Sequence, residues 1–130
     1  MRRLLLLFLV LMTMVACSEK TPEERAAHAA QSYYQCLVED KPDGLLAAKA
    51  GYDSLPAAYR HQLAQAYRQY LADIKAKHLG VSEVRISPNV GLRDSSLHLT
   101  YAFLLLCFAD STQEEISVPM VEVDGEWKLR

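Results

Sequence analysis

Residues 96–109, SLHLTYAFLLLCFA, constrain the fold more than any other part of this 130-residue chain. The odd positions Leu97, Leu99, Tyr101, Phe103, Leu105 and Cys107 are all apolar. The even positions begin polar at His98 and Thr100, then turn apolar at Ala102, Leu104, Leu106 and Phe108. A period of two is the signature of a strand, and a strand apolar on both sides is buried on both for part of its length. The odd row is expected to face the core. The even row then forms a second apolar face that helices on the other side cannot cover. Left in water, each large side chain there forgoes about 1.5–3 kcal/mol of burial. Leu104, Leu106 and Phe108 are therefore the predicted interface, with a second copy or another protein as partner. The alternative cover is the loop containing Val90 and Leu92, or the tether before the first helix.

Other strands surround this one. VSEVRI puts Val84 and Ile86 on one side, and Ile116, Val118 and Met120 alternate further on. VDGE is a two-residue hairpin signal, followed by Trp127 and Leu129. The first half of the chain has helical spacing instead. In TPEE, Thr21 can cap a helix, Pro22 suits its first position and Glu24 completes a capping box. This predicts a helix over 22–39, with Ala26, Ala30, Tyr33, Tyr34 and Leu37 along one side. A shorter helix is expected at 45–50. A long one follows DSLP, with Tyr59, Leu63, Tyr67, Tyr70, Leu71 and Ile74 as its stripe and Gly80 as its stop. The order gives an α+β fold of three helices packed on a curved antiparallel sheet of about four strands. There is no internal repeat and no second domain.

The start of the chain has targeting character. Arg2 and Arg3 precede a short apolar run from Leu4 to Met12, with small and medium residues up to Ala16. This is signal-peptide order, and the apolar stretch is shorter than the ~20 residues of a membrane-spanning helix. MVAC, ending at Cys17, resembles the lipobox of bacterial lipoproteins, although Met14 stands where Leu is commoner. The resemblance implies cleavage before Cys17 and lipid on its sulfur, and two or three acyl chains anchor a protein stably. The expected organisation is a signal peptide at 1–16, a lipidated tether at 17–21 and a domain at 22–130. Loss of Arg2 and Arg3 takes the 14 basic residues to 12 against 16 acidic ones, a net charge of −4. Anchoring is thus expected from the lipid and not from a basic patch. Ser18, where an Asp would signal inner-membrane retention in some bacteria, points to the outer membrane. No basic run or aromatic-basic interleaving suggests nucleic acid.

The element order, closed by VEVDGEWKL with Asp124, Gly125, Trp127, Lys128 and Leu129, resembles the nuclear-transport-factor-2-like (NTF2-like), or cystatin-like, scaffold. It resembles in particular the small bacterial lipoproteins built on that scaffold. The resemblance implies a cone formed by a curved sheet and helices, pairing through a sheet face, and a family that includes both enzymes and proteins without known chemistry.

Few residues point to chemistry. Cys36 and Cys107, in an oxidising compartment, either form a bridge closing a loop of roughly 70 residues or pack as separate thiols. His28, His61, His78 and His98 are scattered without metal-ligand spacing, so neither a metal nor another cofactor is expected. No nucleophile elbow or phosphate loop occurs. Glu122 falls opposite Trp127 if the Asp124–Gly125 turn has two residues. A carboxyl beside an indole in a dry cone, with Tyr33, Tyr34 or Tyr101 nearby, would suit a general base. Glu122, Tyr101 and Trp127 are thus the candidate pocket. Two roles result: a non-catalytic binding or assembly module anchored in the cell envelope, or a small enzyme or carrier holding an apolar ligand in the cone.

Overall fold

A computed structural model describes residues 20–130. The expected signal peptide and Cys17 lie outside the described residues, and of the expected tether only Lys20 and Thr21 lie within them. Three helices come first: α1 (Pro22–Tyr34), α2 (Asp43–Ala47) and α3 (Ala57–His78). Five strands follow: β1 (Val81–Ile86), β2 (Leu92–Asp94), β3 (Leu99–Phe108), β4 (Gln113–Val123) and β5 (Glu126–Leu129). The sheet is antiparallel in the order β1-β3-β4-β5, with β2 also paired to the start of β3. β1 and β2 are thus two pieces of one broken edge, and the extra strand comes from the loop around Val90 and Leu92.

Local chemistry explains the boundaries. Thr21 caps α1 through its hydroxyl, which accepts from the Glu24 amide at 3.2 Å, and Pro22 opens the helix. The helix passes into a 3-10 turn, Gln35–Leu37, earlier than the sequence predicts. α3 stops at Leu79, which adopts the left-handed conformation (φ 66) one residue before Gly80. The β4–β5 turn has positive φ at Asp124 (51) and Gly125 (80), the type I′ geometry whose twist matches the flanking strands.

One helix fixes the curl of the sheet. Gln31 Nε2 of α1 donates to the Val84 carbonyl on β1 at 3.1 Å. Tyr33 Oη, from the same helix, donates to the Trp127 carbonyl on β5 at 2.5 Å. These are opposite ends of the strand order, so the sheet must wrap around α1 for both bonds to form. Ala26 and Ala30, both fully buried, let the helix sit close to the strands. The free edge of β5 is closed further by Leu129, which bonds Ala48 and Ala50 through its own N–H and C=O.

The two faces of β3 are exchanged relative to the sequence-based expectation. Leu104 and Leu106 are fully buried and Phe108 is 4% exposed, all in the core under the helices with Ala102, Val118 and Met120. Buried inside the chain, they offer no exposed face of the kind the sequence predicts. The odd residues Tyr101, Phe103, Leu105 and Cys107 lie on the outer side and are half-buried. The cause is register. Leu104 pairs with Ile116 and Ile86, and Leu106 with Val84, whereas Leu105 pairs with Glu115 and Arg85, and Phe103 with Ser117. The neighbours' polarity decides which side of an ambiguous strand goes inward. Polar side chains then shield the outer row. Arg85 and Glu83 pair at 2.9 Å, and Glu115 reaches across β3 to accept from Ser87 Oγ and Asn89 Nδ2, both at 2.6 Å. Apolar outer surface persists at the other end of the strand, where Leu92 is 61% and Val123 is 43% exposed.

Candidate functional site

The inner side of the sheet changes character along its length. Even positions of β3 are apolar from Ala102 onward and pack under the helices, but Thr100 precedes them and His98 lies before the strand begins. At this end the helical layer stops at the first turn of α1. An open cleft of about 490 Å3 results, lined by Pro22, Arg25, Arg93, Ser95, His98, Thr100, Glu122 and Trp127.

Register builds the cleft floor. Arg93 of β2 opposes Thr100 of β3, Thr100 opposes Met120 of β4, and two residues further along β4 Glu122 opposes Trp127 of β5. The floor is therefore a row of inward side chains drawn from four strands. Arg25, one turn into α1, stands over it as a wall. The β2–β3 turn is stiffened by Asp94, whose Oδ1 accepts from the Ser96 hydroxyl at 2.6 Å, the Ser96 amide at 3.0 Å and the Leu97 amide at 3.2 Å. These bonds hold its carboxyl below the usual range, the Ser96 hydroxyl contributing most. His98 closes the turn in the left-handed conformation (φ 53), which fixes its position on the rim.

Among the described residues, Arg25, Arg93 and Glu122 take part in no ion pair. Ser95, His98 and Glu122 share the cleft, yet no hydrogen bond joins them there. The arrangement is a charged, open recess with one aromatic wall.

The predicted site residues are only partly assembled here. Glu122 and Trp127 do meet across the hairpin, but Glu122 is exposed at the mouth instead of lying in a dry cone. Tyr101 is not with them, because it lies on the outer side of β3 beside Leu92 and Pro119. Arg25, Arg93, His98 and Thr100 were missed. Their signal was present in the polar start of the even row at His98 and Thr100, which marks where helices cease to cover the inner face.

Cys36 and Cys107 are both free and unbridged. Cys36 packs in the helical layer, where a Cβ added at Gly44 would lie 2.7 Å from its own. Cys107 projects from the outer side of β3, between Glu83 and Gln113. The sheet separates them. Burial pushes the Cys36 thiol pKa up, which keeps it a poor nucleophile. No cluster of three or more His, Cys, Asp or Glu side chains that could hold a metal ion occurs among the described residues. No helix among them is long and apolar enough to cross a membrane.

A second cluster fastens the opposite end of the molecule. The His78 ring stacks on Phe108 (centroids 4.2 Å apart, planes 6° apart), and its Nδ1 lies 2.9 Å from Asp110 Oδ2. Thr112 donates to Asp110 Oδ1 through both its hydroxyl (2.5 Å) and its amide (3.0 Å). This joins the end of α3 to the β3–β4 turn and is a structural clamp.

No protein-family model matches the sequence, and no curated protein matches it. Among solved structures, the chain is similar to one described as a candidate NTF2-like transpeptidase from Campylobacter jejuni, with a TM-score of 0.59 and 14% identity. The match covers 77% of this chain and 92% of that one. The helices on a curled antiparallel sheet, with an open end to the cone, give an α+β fold like that of this NTF2-like structure. At this identity the likeness extends to the fold alone.

Proposed function

We propose that this chain is a cell-envelope lipoprotein, anchored through a lipidated Cys17, whose NTF2-like domain acts as a non-catalytic binding module. The observation that carries the reading is the position of the cleft. Pro22, the first residue of α1, lines it, and Pro22 is five residues beyond Cys17 in the sequence. Five extended residues reach at most ~18 Å, so a lipid on Cys17 would hold the cleft at the membrane surface.

The chemistry of the recess supports binding over catalysis. An acyl-transfer nucleophile needs a base within hydrogen-bond reach, and Ser95 bonds to neither His98 nor Glu122. The transpeptidase name of the structural relative therefore has no matching constellation here. A carrier of an apolar ligand would need an empty cone. Leu104, Leu106, Val118 and Met120 fill that space, each 2% exposed or less.

Association with a second copy, if it uses the sheet, belongs on the outer side around Leu92, Tyr101, Pro119, Val121 and Val123. Metabolic labelling with a fatty acid tests the anchor. The parent should carry label in the membrane fraction, and Cys17→Ala should accumulate as unlabelled precursor. Equal labelling of the two would exclude Cys17 as the lipid site.

A further inference from the structure

We propose that the cleft takes a small zwitterion, with a carboxylate or phosphate held by Arg25 and Arg93 and a primary ammonium held between Glu122 and Trp127. This rests on the reading of the domain as a binding module, and it names the ligand class.

The argument is one of charge placement. Arg93 sits on β2 and Glu122 on β4, two strands away and two residues along. Strands are about 4.8 Å apart, so these Cα atoms are separated by roughly 10–12 Å. The two side chains form no ion pair with one another, and the span between their backbones leaves room for a small molecule. Arg25 stands on the helical wall of the same cleft, so two guanidinium groups border one recess. Guanidinium forks suit carboxylate and phosphate oxygens. At the other side the indole of Trp127 lies directly across from Glu122. A carboxylate beside an aromatic face is a site for an ammonium group, through charge and cation-π attraction together. Thr100, 3% exposed, forms the polar floor between the two poles. A purely anionic ligand would leave Glu122 repelling it. A purely apolar one would leave two guanidinium groups and a carboxylate desolvated without partners.

Trp127 is the chain's single tryptophan, so intrinsic fluorescence reads the cleft directly. The full chain is titrated with glycylglycine and phosphoethanolamine as zwitterions, and with acetate, inorganic phosphate and ethylamine as single-charge controls. Calorimetry runs in parallel. The zwitterions should bind with Kd of about 1 mM or tighter and shift the emission. Arg93→Gln should weaken both zwitterions about 10-fold or more, the size expected for losing a charge-assisted hydrogen bond. Glu122→Gln should weaken the zwitterions and relieve the repulsion of acetate and phosphate, so that the preference for the zwitterions is lost. Both residues are exposed, so these variants should keep the parent's circular dichroism. Vesicles containing phosphatidylethanolamine identify the source. A response to them and to phosphoethanolamine, without one to glycylglycine, assigns a lipid headgroup; the reverse assigns an amino acid or peptide. Acetate or phosphate binding as tightly as the zwitterions, or Glu122→Gln without effect, overturns the zwitterion while leaving a binding module in place. Silence toward every probe overturns both the ligand class and the cleft as a binding site, whatever the labelling of Cys17 shows.

Discussion

The Tyr33 hydroxyl donates to the main-chain carbonyl of Trp127, a residue 94 positions later in the chain. This bond ties α1 to the edge strand that carries the cleft's aromatic wall. Together with Gln31 on Val84, it makes a single helix span both edges of the sheet. The cone is therefore held closed by two side-chain bonds from one helix as well as by core packing.

Tyr33→Phe removes that bond and leaves the Trp127 carbonyl without its partner in a half-buried place. The expected cost is about 1–2 kcal/mol, read as a lower urea midpoint. The native emission of Trp127 should also move, because β5 loses its tie. An unchanged midpoint and unchanged emission would show that the bond contributes nothing.

The sidedness of β3 separates two substitutions. Leu106→Ala, in the core, should destabilise by about 2–5 kcal/mol. Leu92→Glu, on the outer side and 61% exposed, should change stability by no more than about 0.5 kcal/mol. If two copies pair by the outer face, Leu92→Glu should also lower the dimer fraction seen by light scattering. A folded Leu106→Ala with parental stability would mean that the faces are assigned the wrong way round.

Acid should loosen the clamp at the far end. Hydrogen bonds, first from Thr112 and then from His78, lower the Asp110 pKa from the ordinary 3.8 to about 2. A carboxylate with a depressed folded-state pKa adds stability above its unfolded pKa, and this is lost as pH falls through the folded one. The Asp110 contribution should thus be intact above about pH 4 and gone below about pH 2. Asp110→Asn should flatten the fall in stability over that window, measured by denaturation at stepped pH. A parallel fall in parent and variant would exclude Asp110 as its cause.

The two thiols should remain independent. Cys36 and Cys107 lie on opposite sides of the sheet, so the chain isolated without reductant and then unfolded should yield both as titratable thiols. A mass two hydrogens short, restored by reduction, would show a bridge and a different arrangement of the layers.

Much of the architecture was legible where one residue has one consequence. Thr21 and Pro22 dictate a helix start, and Asp124–Gly125 dictates a tight hairpin whose register sets Glu122 against Trp127. β2 was not legible, because Leu92–Asp94 is three residues long, preceded by Pro88, Asn89 and Gly91, and exists only by pairing with β3. The faces of β3 were misread for a different reason. Both of its rows are apolar, so alternation alone cannot choose between them. The choice is made by Ile116, Val118 and Val84 on one side and Glu115, Ser117 and Arg85 on the other. The cleft is hidden in the sequence by the same ambiguity. His98 and Thr100 looked like a polar beginning to a buried strand, whereas they mark the part of the inner face that the helices leave open.

Quenching of Trp127 fluorescence by iodide and by caesium tests most directly the claim that the inner face ends in an open cleft with two charged poles. Each ion's quenching of the folded chain is compared with its quenching of free N-acetyltryptophanamide at equal, low ionic strength. Arg25 and Arg93 raise the local concentration of anions and Glu122 that of cations, so both ions should reach the indole. Arg93→Gln should lower the quenching by iodide, and Glu122→Gln the quenching by caesium. If neither ion reaches Trp127 until the chain is unfolded, or if neither substitution changes the quenching, the cleft is not the charged recess described and the binding function placed there has no site.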